Sequence, residues 1–197
     1  MKTAQRGSKT KEMEAVAKEE GIEVENLRRR IARGTVVIPR NVNRELKPVG
    51  IGEGLATKVN VNVGSSATYV DLGLELEKVR VAIEYGTDTL MDLSTGGDLD
   101  EIRRKILKIA SVPFGTVPVY QASLEAANKK GAVVFMTEDQ IFNVIERHLK
   151  DGVDFITVHT GLTKELADRL KASQRVAGIV SRGGAILAAW MLHNKEE

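Results

Sequence analysis

From residue 35 onward, short runs of β-branched residues alternate with stretches whose apolar residues recur every three or four positions. This alternation is typical of parallel strands joined by crossover helices. The pattern predicts five strands, at residues 57–63, 88–93, 116–120, 154–158 and 176–180. Because a helical pattern follows each of them, the sequence predicts about five β–α units.

Polar residues at capping spacing indicate where several of the helices begin. Asp98 and Glu101 stand at the start of one helix, and Thr137 and Gln140 at the start of another. Such pairs satisfy the free N–H groups of a first helical turn. Ahead of the alternating region, residues 24–32 are amphipathic, with Leu27 and Ile31 on one side, so we predict a further helix there.

Five β–α units fit either an open doubly wound sheet or most of a (β/α)8 barrel. The first β–α turn, VNVGSSATY, lacks the G-x-G-x-x-G of dinucleotide-binding sheets. Polar residues also gather at the carboxyl end of every predicted strand, where barrels build their sites. These residues are Asn60, Asn62, Asp92, Ser94, Thr116, Tyr120, Thr157, His159, Ser181 and Arg182. We therefore predict an α/β fold, an incomplete TIM-like (β/α)8 barrel over residues 51–197, preceded by a helical segment and lead-in at residues 1–50.

Composition narrows the class of protein. The chain has 197 residues, of which 42% are hydrophobic and 28% charged, as in globular proteins. It contains no apolar run of membrane-spanning length and begins with a polar stretch, so we expect a cytoplasmic protein without a membrane partner. Because there is no cysteine, this polypeptide alone cannot form disulfides or hold an iron–sulfur cluster through thiolates.

The charge pattern argues against nucleic acid as a partner. The formal net charge is only +2, which is too small to indicate nucleic-acid binding by itself. Arg28, Arg29 and Arg30 lie in the amphipathic pattern of residues 24–32. We interpret them as the solvated face of a helix, because charge runs on helices usually have that role.

A candidate anion site lies where the last predicted strand meets its helix. In the string Ser181-Arg182-Gly183-Gly184, the glycines let backbone N–H groups approach an anion, while the guanidinium and the helix amino terminus supply positive potential. The alternative is that the two glycines only form a tight turn, and the string alone leaves both interpretations open.

Two further side chains have useful chemistry near the predicted strand ends. His159 closes an apolar strand, so we expect its imidazole to point into the mouth of the barrel, for hydrogen bonding or proton transfer rather than metal binding. Tyr120 could stack on a flat heterocycle, although a core tyrosine fits equally well. We expect His148, beside Glu146 and Lys150 on a helix, to be solvated or partly packed.

Five strings, in order and at these separations, resemble the signature segments of the phosphomethylpyrimidine synthase (ThiC) family. They are TKVNVNVG, GTDTLMDLSTGGD, VPFGTVPVYQA, DFITVHTG and RVAGIVSRGGAILAAWML, and the match extends over roughly residues 35–193. The resemblance implies a lyase of the radical SAM type that rearranges 5-aminoimidazole ribotide into 4-amino-5-hydroxymethyl-2-methylpyrimidine phosphate in thiamine biosynthesis.

The resemblance also implies which residues bind the ribotide. The matched positions are Asn62, Met91, Tyr120, His159, Ser181, Arg182 and Gly183. We expect the last three to hold the phosphate end and Met91 and Tyr120 to pack around the heterocycle. Asn62 and His159 would bind polar edges of the ring or ribose. No catalytic residue is assigned.

The chain departs from the family pattern in what it lacks. The family continues into a second half that supplies the remaining barrel strands, histidine ligands for zinc, and a three-cysteine motif for the 4Fe-4S cluster that cleaves S-adenosylmethionine. Ligands for the cluster and the metal are absent from these 197 residues. A radical reaction that starts at such a cluster cannot begin without them.

Three hypotheses follow from this departure. The chain is the amino-terminal part of a ThiC enzyme that needs the missing half, or a stand-alone relative that binds the ribotide or another protein without catalysis. The third is a complete enzyme of different chemistry, with His159 as general acid or base. Because five strands leave two open sheet edges, we expect the isolated chain to pair with the missing half or another copy, as a homo-oligomer, or to aggregate or remain loosely packed.

Overall fold

Three helices open the computed structural model, which describes residues 1–196. They are α1 (Lys2–Gln5), α2 (Lys11–Glu19) and α3 (Val24–Arg33). In α3, Leu27 and Ile31 are buried and pack with apolar residues of α1 and α2. The amphipathic helix predicted at residues 24–32 is therefore confirmed.

A short antiparallel pair follows, and the segment inside it is tied to the main sheet. The pair consists of β1 (Val36–Val37) and β2 (Ile51–Gly52). Between them, the backbone N–H of Asn41 donates to the Asp154 carboxylate at 2.8 Å, and the Arg44 guanidinium pairs with the same carboxylate. Because Asp154 directly precedes the last strand of the sheet, these bonds tie the segment between β1 and β2 to the start of that strand.

Four parallel strands form the main sheet in chain order. They are β3 (Asn60–Val63), β4 (Thr89–Asp92), β5 (Phe114–Thr116) and β6 (Phe155–Ile156). Helix α4 (Leu72–Glu84) connects β3 to β4, and α5 (Leu99–Ile109) connects β4 to β5. Sequential parallel strands with intervening helices are the local order of consecutive β–α units. The predicted α/β fold with parallel strands is confirmed.

Helices α4 and α5 cover one face of this sheet. Side chains alternate between the two faces of a strand, and Val63, Leu90 and Phe114 share one face by register. All three are buried in a single apolar cluster with Val79 of α4 and Ile106 of α5. Burial of a side chain of this size contributes roughly 1.5–3 kcal/mol, so this layer fixes the sheet.

The third strand ends earlier than predicted. The sequence predicts a strand over residues 116–120, but β5 ends at Thr116 and α6 (Pro118–Lys130) begins two residues later. Proline cannot donate to a sheet ladder, while its fixed φ suits the first turn of a helix. Tyr120 therefore lies in the first turn of α6 rather than at a strand end.

Four further elements complete the described chain: a 3-10 helix (Val133–Phe135), α7 (Glu138–Asp151), α8 (Lys164–Lys171) and α9 (Arg182–Asn194). The predicted cap of α7 is confirmed. Thr137 accepts a bond from the N–H of Gln140 at 3.3 Å, and the Gln140 side chain accepts from the N–H of Thr137 at 2.9 Å. The cap predicted at Asp98 also forms, since its carboxylate accepts from the N–H of Glu101.

The fifth predicted strand is wrong. Residues 176–180 form no strand in the part of the chain that the structure describes. Val176 is fully exposed and Val180 is 81% exposed. Since β-branched residues favour a strand only where they can pack on a pleated neighbour, sequence preference alone does not create one. Four parallel strands therefore stand where five were predicted.

Within residues 1–196, no helix combines the length and the apolar character needed to cross a lipid bilayer.

Candidate functional site

The sheet face opposite α4 and α5 carries polar residues. Asn60 lies opposite Thr89 and Asn62 opposite Met91 in the pairing of β3 with β4. The Asn60 amide donates to the Asn62 side-chain oxygen at 2.9 Å, and the Thr89 hydroxyl donates to Asn60 at 2.8 Å. Asn60 and Asn62 are exposed, so their remaining polar atoms can bind a ligand.

Met91 lies at the centre of this face. It is opposite Gly115 of β5, and a β-carbon at Gly115 would overlap the ring of Phe155, which packs directly over that glycine. The Thr157 hydroxyl is 4.0 Å from the Met91 sulfur. Met91, half-buried, thus offers a soft apolar contact between the asparagines of β3 and the end of β6.

His159 and Gly183 are in direct contact. The imidazole packs on the glycine so closely that a β-carbon at residue 183 would overlap three of its ring atoms. The Nδ1 atom of His159 is buried and has no hydrogen-bond partner in the described structure. A buried polar atom left unpaired costs about 1–3 kcal/mol, so this nitrogen is suited to receive a bond from a ligand.

The turn that carries Gly183 begins α9. Ser181 caps the helix, its hydroxyl accepting from the N–H of Gly184 at 3.2 Å. Gly183 and Gly184 are buried, whereas Ser181 and Arg182 are exposed. The amino terminus of a helix presents unpaired N–H groups and a partial positive charge, so an anion at this point would be stabilised.

Arg182 reaches from this turn toward the start of α6 and the loop after β4. Its guanidinium carbon lies 5.4 Å from the centre of the Tyr120 ring, within the range of a cation–π contact. Its Nη1 is 3.4 Å from the Thr95 hydroxyl. The guanidinium therefore lies where the loop after β4, the start of α6 and the start of α9 meet.

The loops after β3 and β4 are fixed to each other. The N–H of Ser65 donates to the Ser94 hydroxyl at 3.1 Å, and that hydroxyl donates to the buried Asp92 carboxylate at 2.5 Å. The N–H of Gly64 donates to Glu75 of α4 at 2.7 Å. Burial raises the pKa of the Asp92 carboxyl above its usual value, although the bonds from Ser94 oppose this. Thr95, which contacts Arg182, therefore lies in a loop that hydrogen bonds hold to the loop after β3.

The structure brings the seven residues predicted for the site into two connected groups. His159, Ser181, Arg182, Gly183 and Tyr120 form one group through the α9 turn, and Asn62 and Met91 form the other through strand register. Thr157, two residues before His159, contacts Met91 and links the groups. Tyr120 and Met91 also pack against the same apolar cluster.

Thr95, which lies at the site, and His148, which lies outside it, were not predicted correctly from the sequence. Thr95 could have been suspected because it stands in the STGG string. Its contact with Arg182 could not be predicted, because the two residues are 87 positions apart in the chain. The prediction for His148 is wrong, because this side chain is only 3% exposed and fully paired. Nothing local in the sequence distinguishes a helix histidine that meets a strand from one that meets water.

Metal-binding groups are absent from the described residues. Across residues 1–196, no three His, Asp or Glu side chains come together in a way that could hold a metal ion. The chain also has no cysteine. The described site combines an exposed guanidinium and a helix amino terminus with a half-buried imidazole and a tyrosine ring.

Comparison with known proteins relates the chain to a single family. The model of the radical SAM ThiC family matches residues 1–197. The phosphomethylpyrimidine synthases of Methanococcus maripaludis (strain S2) and Pyrococcus furiosus are each 53% identical to this chain over all of it, which is 46% of their own length. That of Ignicoccus hospitalis is 54% identical over 99% of this chain and 45% of its own length. The chain thus spans about half the length of the curated relatives it matches.

Proposed function

The chain belongs to the radical SAM ThiC family, and on that premise we propose that it supplies the ribotide-binding part of a phosphomethylpyrimidine synthase in thiamine biosynthesis. The substrate would be 5-aminoimidazole ribotide, bound where the carboxyl ends of β3 to β6 meet. The observation that supports this proposal is the contact of His159 with Gly183 beside Arg182, because an imidazole that can hydrogen-bond then lies next to a helix amino terminus suited to an anion.

The phosphate end of the ribotide would lie at the start of α9. Arg182 can donate charge-assisted bonds, each worth about 1.5–3 kcal/mol. Ser181 and Gly183 contribute the hydroxyl and the backbone N–H groups of the first turn. The glycine at 183 serves a second purpose, since any side chain there would displace His159.

The imidazole ring of the ribotide would lie between the two groups of site residues. Tyr120 is held next to Arg182 by the cation–π contact, so its ring can stack on a heterocycle close to the phosphate. Met91 would pack against the same heterocycle from the sheet. Asn62 and His159 would bind its polar edges, the histidine through the buried Nδ1 that has no partner in the described structure.

The rest of the chemistry would lie on another stretch of polypeptide. The family name implies S-adenosylmethionine and an iron–sulfur cluster, and such clusters are held by cysteine thiolates. This chain has no cysteine and no metal-binding group among residues 1–196, so its residues do not fit the cluster or a zinc ion. The role of this chain would be to bind and orient the ribotide.

We also propose that further polypeptide completes the sheet into a (β/α)8 barrel. The outer edge of β3 borders a groove of about 670 Å³. Along it, Val59, Val81 and Tyr85 are 57%, 46% and 84% exposed. Exposed strand edges recruit further strands, so this edge would bind the remaining part of the enzyme or, in its absence, another copy of the chain.

Reconstitution tests the proposed function. The chain is mixed anaerobically with a polypeptide that carries the remaining part of a relative, together with iron, sulfide, a reductant, S-adenosylmethionine and the ribotide. Formation of the pyrimidine phosphate, reduced at least tenfold in Arg182→Gln and unchanged in Arg169→Gln on α8, supports the proposal. No product, under conditions in which the whole relative is active, would contradict it.

A second function is favoured by the absence of cysteine in these 197 residues. The chain would bind the ribotide without catalysing its rearrangement. Both functions predict ribotide binding in calorimetry, so reconstitution separates them: binding with failed reconstitution supports the second, and binding with reconstitution supports the first.

A further inference from the structure

A buried histidine outside the proposed binding site holds both sides of the segment that carries Tyr120. His148 of α7 is 3% exposed. Its Nδ1 is 2.8 Å from the hydroxyl of Thr116, the last residue of β5. Its Nε2 is 2.8 Å from the side-chain oxygen of Gln121, which follows Tyr120 on α6. One imidazole thus bridges a residue before Tyr120 and a residue after it.

The neighbours of Gln121 fix the direction of these bonds. Arg103 donates to its side-chain oxygen at 2.8 Å, and its side-chain nitrogen donates to the Asp100 carboxylate at 2.8 Å. A guanidinium can only donate and a carboxylate can only accept. The Gln121 oxygen therefore accepts from His148, so Nε2 carries the proton and Nδ1 accepts from the Thr116 hydroxyl.

His148 is neutral in this arrangement. The charged groups around it are Arg103 and Asp100 of α5, Glu125 of α6, and Arg147 and Asp151 of α7. Burial first, and then the two guanidinium groups, lower its pKa to about 3. An imidazole that stays neutral keeps one donor and one acceptor, and the two bonds use both.

The network around the bridge is buried and densely hydrogen-bonded. Arg103 is 1% exposed, and besides Gln121 it binds Asp100 at 2.6 Å and Asp151 at 2.5 Å. Gln121 is therefore anchored to α5 and, through His148, to α7. The same imidazole therefore bonds to the end of the strand before Tyr120 and to the residue after it.

We propose that His148 is a positioning residue for the binding site: by holding Thr116 and Gln121, it sets where the Tyr120 ring lies and therefore where Arg182 rests against it. Only the last step, that Tyr120 and Arg182 face a ribotide, depends on the proposed function.

Nuclear magnetic resonance of the whole chain tests this proposal without a ligand. The Tyr120 ring, 5.4 Å from the Arg182 guanidinium carbon, should shift the resonance of the Arg182 side-chain N–H, and Tyr120→Leu should give the unshifted baseline. We expect His148→Leu, which loses both bonds, to move the Arg182 resonance to that baseline. His148→Gln can still donate to Gln121 and should keep about half of the shift. An Arg182 resonance that stays at its wild-type position in His148→Leu would overturn the proposal.

A control separates positioning from stability. Val144 is 2% exposed on the same helix and packs against α6, so Val144→Ala weakens the same interface without touching the bridge. We expect it to leave the Arg182 resonance in place. If Val144→Ala shifts that resonance as far as His148→Leu does, His148 only stabilises the fold and the proposal fails.

Two further measurements decide the matter if His148→Leu does not fold. Nitrogen spectra of the wild-type imidazole should show the Nε2-protonated tautomer with no titration between pH 8 and pH 5, and Thr116→Val should move the Arg182 resonance partway to the baseline. Titration in that range, or an unmoved resonance, would overturn the proposal. These measurements use no ribotide. The proposed function can therefore fail in calorimetry while His148 is still shown to position Tyr120. Equally, this positioning role can fail while ribotide binding is observed.

Discussion

The imidazole of His159 lies directly on Gly183, although the two residues are 24 positions apart in the chain. This contact fixes the end of β6 to the first turn of α9. It also brings the only histidine predicted for the site next to the only arginine predicted for it, Arg182. The close packing of His159 on the start of α9 therefore depends on a residue that has no side chain.

Gly183→Ala should destabilise the chain. The new methyl group would occupy the space of the His159 ring, and overpacking of this kind costs about 1–3 kcal/mol. Gly178→Ala is the matched control, since a β-carbon there meets nothing within 4 Å and should change stability by less than about 0.5 kcal/mol. Urea unfolding followed by the fluorescence of Trp190 measures both. Equal stability of the two variants would contradict the packing described.

The features that depend on nearby residues could be predicted from the sequence. The capping pair Thr137 and Gln140 formed as predicted because a cap needs only three positions of sequence. Strands β3, β4 and β6 lie within their predicted ranges because their apolar runs are short and bounded. Pro118 was the available signal that the third strand ends at Thr116.

The features that depend on distant residues could not be predicted in this way. Residues 176–180 have the composition of a strand, but pairing requires a neighbour that composition does not reveal. The burial of His148 follows from Thr116 and Gln121, which lie 32 and 27 positions away. Five strings predicted the site residues, but the contacts between those residues follow from the fold.

Stability should fall as the solution is acidified, and His148 should cause much of the fall. Its folded-state pKa of about 3 lies below the ordinary value of 6.5, so the unfolded chain binds a proton between these values and the folded chain does not. The stabilisation is complete above pH 6.5 and decreases by about 1.4 kcal/mol per pH unit below it. From pH 7 to pH 5 the loss is about 2 kcal/mol.

His148→Gln isolates the contribution of His148 to the pH dependence, because it removes this titrating group and leaves all carboxyl groups and the other histidines in place. The free energy of unfolding of this variant, measured in urea at both pH values, should fall by about 2 kcal/mol less than that of the wild type. The same loss in both proteins would show that His148 does not carry the pH dependence.

Self-association of the isolated chain should depend on the edge of β3. Val59 at this edge is 57% exposed, and Val37 in the amino-terminal hairpin is 56% exposed. A lysine at an exposed strand edge hinders the addition of further strands. In sizing experiments Val59→Lys should reduce the fraction of dimer and larger species, while Val37→Lys should leave it unchanged. If the two substitutions act alike, the β3 edge is not the surface that associates.

Arg182→Gln should weaken ribotide binding about tenfold, because it removes a charge-assisted bond worth about 1.5 kcal/mol. Arg169→Gln, on an exposed turn of α8, should change the affinity less than about twofold. The aminoimidazole riboside, which lacks the phosphate, should lose much less affinity in Arg182→Gln than the ribotide does. An Arg182→Gln effect of the same size on the riboside would place this side chain away from the phosphate.

The most direct test of the account is a calorimetric titration of the folded chain with 5-aminoimidazole ribotide. We expect saturable heat at one site per chain, with a dissociation constant in the micromolar range, corresponding to a binding free energy of about 8 kcal/mol. Absence of heat up to millimolar ribotide, with circular dichroism showing that the chain is folded, would contradict the claim that the ends of these four strands form a ribotide site.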